Sequence, residues 1–256
     1  MQNKSLAPAL ERGIDIIELI ETNRDGFSFS EIYNKLKIPK PSLIRLLNIL
    51  QKRKYLRVEN KRYKLGLKLL SLGSAVHSSL NLREIARPFM EELLLKVNET
   101  VELEIFDEDS LLIIEKLESF DSPIRLFSKI GSRFTNLHVN APGKVALAFL
   151  PEEISSKYLN THNLVKQTPY TITDINKLKK ELAKIKKEKV AFDFQEGRLE
   201  VSRVSSPIFN HNGEFCAAIN IAGPYFRINQ KNKSKFGNIV KEFASKISKE
   251  LGYEKY

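Results

Sequence analysis

The residues with the most evident chemistry are the basic side chains of one short segment. From Lys35 to Lys68 the chain carries 12 Lys and Arg residues and a single acid, Glu59. The formal charge of this segment, +11, equals the net charge of all 256 residues. Because Lys and Arg bind phosphate groups, so local a surplus indicates a polyanionic partner, and we expect nucleic acid rather than an ordinary solvated surface.

Local patterns place this segment on helices and a hairpin. Apolar spacing predicts a helix over Pro8–Thr22, and Ser28 with Glu31 forms a capping-box pattern that begins a short second helix. Lys-Ile-Pro at 37–39 ends that helix. The elements predicted next are a third helix and two short strands, over Pro41–Gln51, Tyr55–Val58 and Arg62–Leu65.

The third helix has two different faces. Its apolar face consists of Leu43, Leu46, Leu47 and Leu50. Its opposite face carries Pro41, Arg45, Asn48 and Lys52, with Ser42 and Ile44 at the flanks. A helix, a turn, a second helix and a basic hairpin are the pattern of a winged helix-turn-helix, in which the recognition helix enters a major groove. The alternative is a three-helix packing module with a basic surface.

The partner predicted for this unit is double-stranded DNA. Arg45 can reach a base edge or a phosphate, while Ser42 and the N-terminus of the third helix suit a phosphate. Lys61 and Arg62, at the tip of the wing, suit an adjacent minor groove or its phosphates. The candidate DNA-contacting residues are Ser28, Lys40, Pro41, Ser42, Ile44, Arg45, Lys52, Lys61 and Arg62.

The rest of the chain has a different character. Apolar residues between Leu67 and Val76 exceed one helical stripe, so we predict a linker helix that packs against another chain. From residue 81 onward the net charge is only +3. The predicted domains are a winged helix-turn-helix over 1–66, a linker helix over 67–81 and a second domain over 82–256.

Hairpins interleaved with helices predict an α+β fold with a mainly antiparallel sheet in the second domain. Apolar residues alternate with polar ones in the first predicted strand, and turn residues separate the strands. The predicted strands are Val101–Phe106, Leu111–Leu117, Ile124–Lys129, Arg203–Phe209 and Glu214–Ile221. The predicted helices are Ala141–Leu150, a lysine-rich helix capped by Thr173, and an amphipathic helix over Phe236–Leu251 that Gly252 ends.

The sequence contains no recognisable catalytic motif. Gly143-Lys144 is not a P-loop, because His138 occupies the place of the first glycine and Val145 that of the Ser or Thr. The four histidines lack metal-ligand spacing, which leaves His138 as an isolated candidate ligand. Cys216 lies in an apolar strand pattern typical of core packing. GxSxG, HExxH and GxGxxG do not occur. We therefore expect no enzyme activity, no cofactor and no metal.

Composition also excludes two classes of protein. A single cysteine cannot form an internal disulfide, which argues against a disulfide-stapled secreted fold. No apolar run approaches the roughly 18 residues of a membrane-spanning helix, and the first residues lack the apolar core of a signal peptide. We expect a soluble cytoplasmic protein that has no membrane partner.

The chain resembles the IclR (isocitrate lyase regulator) family of bacterial and archaeal transcription factors. In its first part the resemblance rests on ALERGIDIIELI, FSFSEIYNKLKIPKPSLIRLLNILQKRKYL and RYKLGLKLLSLG. In its second part it rests on IARPFMEELLLKVNETVEL, IGSRFTNLHVNAPGKVALAFLP and SSPIFNHNGEFCAAINIAGP. A helix-turn-helix alone recurs in many families, but these pieces in this order are specific.

The resemblance implies a winged helix-turn-helix joined by a linker helix to an effector-binding domain similar to GAF and PAS sensors. It implies a homodimer, or a dimer of dimers, on a palindromic operator, and a small organic effector that changes DNA affinity. Repression is the commoner behaviour of the family. The effector-binding residues that it implies are Asn140, Ala141, Pro142, Asp193, Val201, Arg203, Asn220 and Ala222. Strand alternation adds Leu126 and Lys129 near the rim of the pocket.

The sequence departs from the family pattern before the late hairpin. A glycine, a small apolar residue and a cysteine or glycine are usual there, whereas this chain has Glu200-Val201-Ser202-Arg203. Because a buried guanidinium requires an anion, we hypothesise a carboxylic or sugar acid as effector, bound bidentately by Arg203. The rival hypothesis is an internal pair with Asp193 or Glu196.

Two other functions stay open for the chain as a whole. One is an architectural DNA-binding protein that has no ligand. The other is an enzyme fused to a DNA-binding module.

Overall fold

The structure, a computed structural model, describes residues 7–78, 81–119 and 126–255. The chain divides into two compact units, Met1–Leu80 and Asn81–Tyr256. Each unit has its own hydrophobic core.

The first unit is a winged helix-turn-helix. Its helices are α1 (Pro8–Glu21), α2 (Phe29–Leu36), α3 (Lys40–Lys52) and α4 (Leu67–Ser78), and its strands are β1 (Phe27–Ser28), β2 (Leu56–Glu59) and β3 (Arg62–Leu65). The predicted helices and hairpin are therefore confirmed. The sheet order β1-β3-β2 adds a short strand that the sequence pattern did not indicate.

The core of the first unit lies between its helices and the wing. The fully buried residues come from α1, α2 and α3, and they include Ile16, Ile32, Leu43 and Leu47. These positions repeat at helical spacing, so each amphipathic helix turns one face inward. The helical stripe of α3 thus fixes which of its side chains face solvent.

The second unit is α+β, as predicted. Its strands are β4 (Thr100–Asp107), β5 (Ser110–Leu117), β6 (Arg133–Phe134), β7 (Ala191–Phe194), β8 (Val201–Phe209) and β9 (Phe215–Pro224). They form one antiparallel sheet in the order β6-β5-β4-β9-β8-β7. Its helices are α5 (Asn81–Val97), α6 (Ala141–Phe149), α7 (Glu152–Thr161), α8 (Ile175–Glu188) and α9 (Lys233–Glu250).

The two faces of this sheet are covered by different helices. Ala191 of β7 packs with α6 and α8, while its neighbour Phe192 contacts Gly237 of α9. Because successive side chains of a strand point to opposite faces, α6 and α9 lie on opposite sides of the sheet. Asp193 and its register partner Arg203 on β8 therefore belong to the α6 side.

One predicted strand is not observed as such. Residues 124 and 125 of the predicted strand Ile124–Lys129 lie outside the described residues, and 126–129 are irregular. In their place a two-residue strand, β6, pairs with Leu111 and Leu112 of β5. The predicted stop of the last helix is confirmed, since Gly252 has a φ of 87° and its N–H donates to the Lys249 carbonyl.

Candidate DNA interface and effector cavity

The outer face of α3 carries the predicted DNA-contacting side chains. Leu43 and Leu47 are buried against the core, whereas the residues on the opposite side, Pro41, Arg45, Asn48 and Lys52, are all exposed. Of the flanking residues Ser42 is half-buried, and Ile44 is 49% exposed. The surface formed by 41, 45, 48 and 52 is called the outer face of α3 below.

The N-terminus of α3 offers less to a phosphate than the sequence indicated. Pro39 caps the helix without a side-chain hydrogen bond, and Pro41 has no backbone N–H. The Ser42 N–H donates to the Pro39 carbonyl at 2.9 Å. Lys40 is exposed, with its Nζ 5.3 Å from the centre of the Tyr33 ring. The backbone N–H groups of Ser42 and Leu43 are therefore engaged, and the exposed Lys40 side chain provides the positive charge at this end of the helix.

Ser28 occupies the N-cap of α2. Its hydroxyl accepts from the Glu31 N–H at 3.3 Å, and its own N–H donates to Glu31 Oε2 at 2.6 Å. The predicted capping box is therefore present. The Ser28 N–H and, after it, the Ser28 hydroxyl lower the pKa of the Glu31 carboxyl through their hydrogen bonds to it. The Ser28 side chain is thus engaged with Glu31 within the fold, and its contact with DNA stays a prediction.

Arg62 does not stand free at the tip of the wing. Its guanidinium donates to the Gly26 carbonyl at 2.9 Å and to Glu31 Oε1 at 3.2 Å. The cause is the pairing of β1 with β3, which sets Arg62 opposite Ser28 and close to the loop before α2. The DNA contact of Arg62 stays a prediction, and the structure adds a second role, because this side chain joins the wing to the helix-turn-helix.

Lys61 is the cation that the wing presents. Asn60 and Lys61 have φ angles of 50° and 61°, so the two-residue turn between β2 and β3 is left-handed at both central positions. Such a turn favours glycine at its second position, yet Lys61 is found there and is exposed. Nearby, Glu59 pairs with Arg57 and with Lys64, whose Nζ lies 3.0 Å from Glu59 Oε2.

The second unit contains a cavity of about 940 Å³ on the α6 side of its sheet. Its walls are residues 126–128, 132–136, Val139 and Asn140, Gln167, the loop 197–200, and the adjoining ends of β8 and β9. Of the predicted effector-binding residues, Asn140, Val201 and Arg203 line this cavity, and so does Leu126. Lys129 is not among its lining residues.

Four other predicted effector residues lie behind the residues that line the cavity. Ala141 and Pro142 are buried in the first turn of α6. Asn220 is buried on β9 and donates to Glu102 Oε2 at 2.9 Å, while Ala222 is paired with Arg203 across the sheet. None of these four residues lines the cavity, and their direct contact with a ligand stays a prediction.

The wall at α6 is shaped by a helix cap and a close approach. Asn140 Oδ1 accepts from the Gly143 N–H at 2.7 Å and so begins α6. A Cβ on Gly143 would lie 2.1 Å from the Leu137 carbonyl oxygen, which explains why glycine is required there. This contact fixes the backbone of Val139 and Asn140, where they line the cavity.

Lys144 has a role that the sequence did not reveal. Its side chain is fully buried, and its Nζ donates to the Phe192 carbonyl at 2.7 Å and to Glu196 Oε1 at 2.6 Å. Desolvation raises the pKa of Glu196 to about 7, against the effect of Lys144. Because Glu196 directly precedes the loop 197–200, this ion pair connects α6 to the cavity wall. A lysine within an otherwise apolar helix was the available signal.

Arg203 contacts both the cavity and an internal carboxylate. It lines the cavity, and its Nη1 lies 3.5 Å from Asp193 Oδ2, which faces it across the β7–β8 pair. Desolvation raises the pKa of Asp193, and Arg203 opposes that shift. Glu196 pairs with Lys144 instead. Of the two carboxyls proposed as internal partners, Asp193 is the one that Arg203 contacts, through one long contact. The positive charge of Arg203 also acts on the buried carboxyl of Glu104.

The sequence did not point to several side chains of the cavity wall. Arg198 lies over the ring of Phe127 at 4.9 Å, and both are exposed at the mouth of the cavity with Phe226. Arg133 also lines the cavity, and it pairs with Asp107. These residues come from loops or from strand ends, where no periodic pattern signals a role.

The remaining candidates for chemistry are engaged in packing. His138 is fully buried, with Nδ1 2.9 Å from the Tyr158 hydroxyl and Nε2 3.1 Å from the Val165 carbonyl, and desolvation lowers its pKa. Burial raises the pKa of the Cys216 thiol to about 11. Within residues 7–78, 81–119 and 126–255, no three His, Cys, Asp or Glu side chains group as metal ligands. The helices in the same ranges all lack the length or the apolar character of a membrane-spanning segment.

Two known protein-domain families match the chain over most of its length. Residues 9–59 match the IclR helix-turn-helix domain, and residues 74–249 match the C-terminal domain of bacterial transcriptional regulators of the IclR type. The chain belongs to the IclR family of transcriptional regulators. As an IclR regulator it combines a DNA-binding helix-turn-helix with the α+β domain that carries the cavity.

Known IclR proteins resemble the chain along most of its length. The transcriptional repressor AllR of Escherichia coli K12 is 31% identical, over 96% of this chain and 91% of AllR. The crystal structure of IclR from Thermotoga maritima is 33% identical with a TM-score of 0.80, over 96% of this chain and 99% of that one. An IclR homologue from Microbacterium hydrocarbonoxydans, crystallised with 4-hydroxybenzoate, has a TM-score of 0.84 at 22% identity, over 95% of this chain and 98% of that one.

Proposed function

We propose that this IclR regulator is a repressor that leaves its operator when a small organic acid fills the cavity of the second unit. The observation that carries the proposal is the cavity itself, which has about 940 Å³ and an arginine, Arg203, in its wall. A volume of this order suits a small metabolite. Repression is supported by the resemblance to AllR, which is named a repressor.

The DNA half of the proposal assigns two jobs to two cations. Arg45 on the outer face of α3 reads bases in the major groove, and Lys61 at the wing neutralises phosphate. Replacing Arg45 by Ala should relax discrimination between operator and random DNA. Replacing Lys61 by Ala should weaken binding to operator and to random DNA alike. It should also reduce the slope of log affinity against log salt concentration by about 1. Equal losses on specific and random DNA in both variants would contradict this division.

The proposed assembly is a homodimer, or a dimer of dimers, on a palindromic operator. Leu67 and Leu70 of α4 are 77% and 68% exposed in the single chain, which supports burial against a second copy. Two recognition helices about one helical turn of DNA apart would then enter successive major grooves. In chain order α4 is the last element before the second unit, so we assign it the transmission of the ligand signal.

The experiment that tests the function is binding to the DNA upstream of the protein's own gene, with and without a panel of carboxylic and sugar acids. Release by one compound in the parent, but not in Val201→Trp, would support ligand control through the cavity. Val201 lines the cavity at the start of β8, so the larger side chain should occupy the ligand's space. Specific binding that no compound alters would favour the second candidate, an architectural DNA-binding protein.

A further inference from the structure

We infer that the outer side of α8 is a second DNA-binding surface, which holds the phosphates of double-stranded DNA without reading its sequence. The inference goes beyond the proposed function, which assigns DNA contact to the first unit alone. Three features of α8 carry it: the positive charge that it concentrates, the arrangement of its lysines, and the lack of ion pairs to these lysines among the described residues.

The positive charge of the second unit is concentrated on α8. This helix contains six lysines and two glutamates, which give it a formal charge of +4. Residues 81–256 as a whole have a net charge of +3, so the rest of the unit carries slightly more acid than base. The first unit shows the same pattern, since one short basic segment also accounts for its surplus.

The packing of α8 turns its lysines outward. Leu178, Leu182 and Ile185 are buried in the core that α8 shares with α6. The opposite side carries four exposed lysines at intervals of three or four residues, Lys177, Lys180, Lys184 and Lys187. These four residues are called the lysine stripe below. Side chains at this spacing are neighbours on a helix surface, so the stripe runs about 15 Å along α8.

The lysine stripe has no ion-pair partner within the part of the chain that the structure describes. Glu181 and Glu188 lie within one turn of the stripe, yet they form no ion pair with it there. The pairing of α9 with α5 is different, because Lys246 lies 3.1 Å from Glu92. The charge of the stripe is therefore not neutralised within the unit, and it attracts a polyanion from outside.

The chemistry of the lysine stripe suits the DNA backbone rather than base edges. Its cations are all lysines, which are point charges on flexible stems, whereas base readout favours the planar fork of arginine. Each strand of a duplex presents one phosphate per about 3.4 Å of the helix axis. A stripe of about 15 Å therefore runs beside about four phosphates of one strand, one for each lysine.

An anionic membrane is the other polyanion that a basic helix can bind. A helix that lies in a membrane interface buries its apolar face among the lipids. In α8 that face is committed to the core, which leaves only the lysines for a membrane. Double-stranded DNA, by contrast, is already held by the first unit of the same chain. A second surface for the same ligand then binds at a high effective concentration.

The test compares two variants of the full chain that lose the same number of charges. The stripe variant combines Lys177→Gln, Lys180→Gln, Lys184→Gln and Lys187→Gln. The control variant changes exposed lysines that are spread over three other segments of the second unit, Lys129→Gln, Lys235→Gln, Lys249→Gln and Lys255→Gln. The ligand is a random-sequence duplex of about 60 base pairs, and its affinity is measured by fluorescence anisotropy from about 50 to 200 mM salt.

We expect the stripe variant to bind this duplex at least about tenfold more weakly than the parent at about 100 mM salt. The slope of log affinity against log salt concentration should fall by about 3–4, because each phosphate contact contributes about 0.9 to it. The control variant should change affinity less than about threefold and the slope by less than about 1. Because both variants have the same net charge, the difference between them measures the arrangement of the lysines.

The substituted lysines are exposed and glutamine suits a helix, so we expect circular dichroism to show a folded stripe variant. Should this variant fail to fold, two half-stripe variants replace it. Lys177→Gln with Lys180→Gln, and Lys184→Gln with Lys187→Gln, should each lower the slope by about 2.

Equal losses in the stripe and control variants would overturn the inference, because net charge alone would then explain them. Unchanged DNA binding in the stripe variant would overturn it as well. In that case, binding of the parent but not of the stripe variant to vesicles of phosphatidylserine and phosphatidylcholine would identify a membrane surface instead. Arg45→Ala and Lys61→Ala report on the first unit, so the proposed function and this inference can fail independently.

Discussion

The two units of the chain hold their positive charges in opposite ways. On the outer face of α3, Arg45 and Lys52 point to solvent while leucines behind them form the core. In the second unit Lys144 and Arg203 lie within the domain, and each faces a carboxylate. Exposed cations therefore act through their number and position, whereas buried cations act through a specific partner.

The largest expected effect is the loss of the buried cation Lys144. In Lys144→Met the Glu196 carboxylate and the Phe192 carbonyl both lose their donor, and a partnerless buried charge costs about 3–5 kcal/mol. We expect the free energy of unfolding of the second unit to fall by that amount in urea titrations followed by circular dichroism. Binding to random DNA, which depends on the first unit, should persist at low temperature.

A matched pair of variants tests the cause of that loss. Lys184→Met changes an exposed lysine of α8, and it should alter stability by less than about 0.5 kcal/mol. Lys144→Met combined with Glu196→Met removes both charges and should recover much of the loss. If Lys144→Met and Lys184→Met cost the same, the buried cations of the second unit do not differ from the surface cations.

The second effect is the pH dependence of stability that the buried carboxyl of Glu196 contributes. The pKa of Glu196 is raised from 4.5 to about 7 by desolvation, so between these values the folded state binds a proton that the unfolded state has released. The free energy of unfolding therefore falls as pH rises through this window, by up to about 3 kcal/mol at roughly 1.4 kcal/mol per pKa unit. Below pH 4.5 and above pH 7 Glu196 adds no further slope.

Glu196→Gln isolates this contribution from the other titrating groups of the second unit. Burial also raises the pKa of Asp193, whereas it lowers that of His138, which adds a slope of the opposite sign. The difference in unfolding free energy between parent and Glu196→Gln should change with pH across the window and level off above it. A difference that is constant with pH would show that Glu196 keeps an ordinary pKa.

The third effect concerns Arg62, a wing cation that, like those of the second unit, has specific partners. In Arg62→Gln the hydrogen bonds to the Gly26 carbonyl and to Glu31 weaken, so we expect the first unit to lose about 1–2 kcal/mol of stability. Arg57→Gln, which breaks an exposed pair with Glu59, should cost less than about 1 kcal/mol. Unchanged stability of Arg62→Gln with a reduced salt slope would return this side chain to the DNA interface.

The same distinction explains what the sequence could predict. The outer face of α3 follows from helical periodicity, because Leu43 and Leu47 define the side on which Arg45 cannot lie. The partners of Lys144 are about 50 residues away, at Phe192 and Glu196, and no local pattern encodes a contact over that distance. The hydrogen-bond partners of Arg62 also depend on long-range pairing, because the unpredicted strand β1 places Ser28 opposite Arg62.

The cavity was predictable only in part. Asn140, Val201 and Arg203 were identified through the resemblance to the family, and they line it. Ala141 and Asn220 were carried over in the same way but are buried behind the wall. The arginines and aromatic residues of the mouth lie in loops or at strand ends, whose course depends on tertiary contacts rather than on periodicity.

The smallest expected effect is at Lys61, where charge and backbone oppose each other. Its φ of 61° is a conformation that glycine adopts more readily, so Lys61→Gly should stabilise the hairpin by up to about 1 kcal/mol. The same change removes the cation at the wing tip, so DNA affinity should fall and the salt slope should decrease by about 1. Thermal unfolding and DNA titrations at several salt concentrations measure the two quantities. A more stable variant with weaker DNA binding would indicate that Lys61 occupies this strained position because of its charge. A variant that is more stable and binds DNA unchanged would show that the wing tip does not contact phosphate.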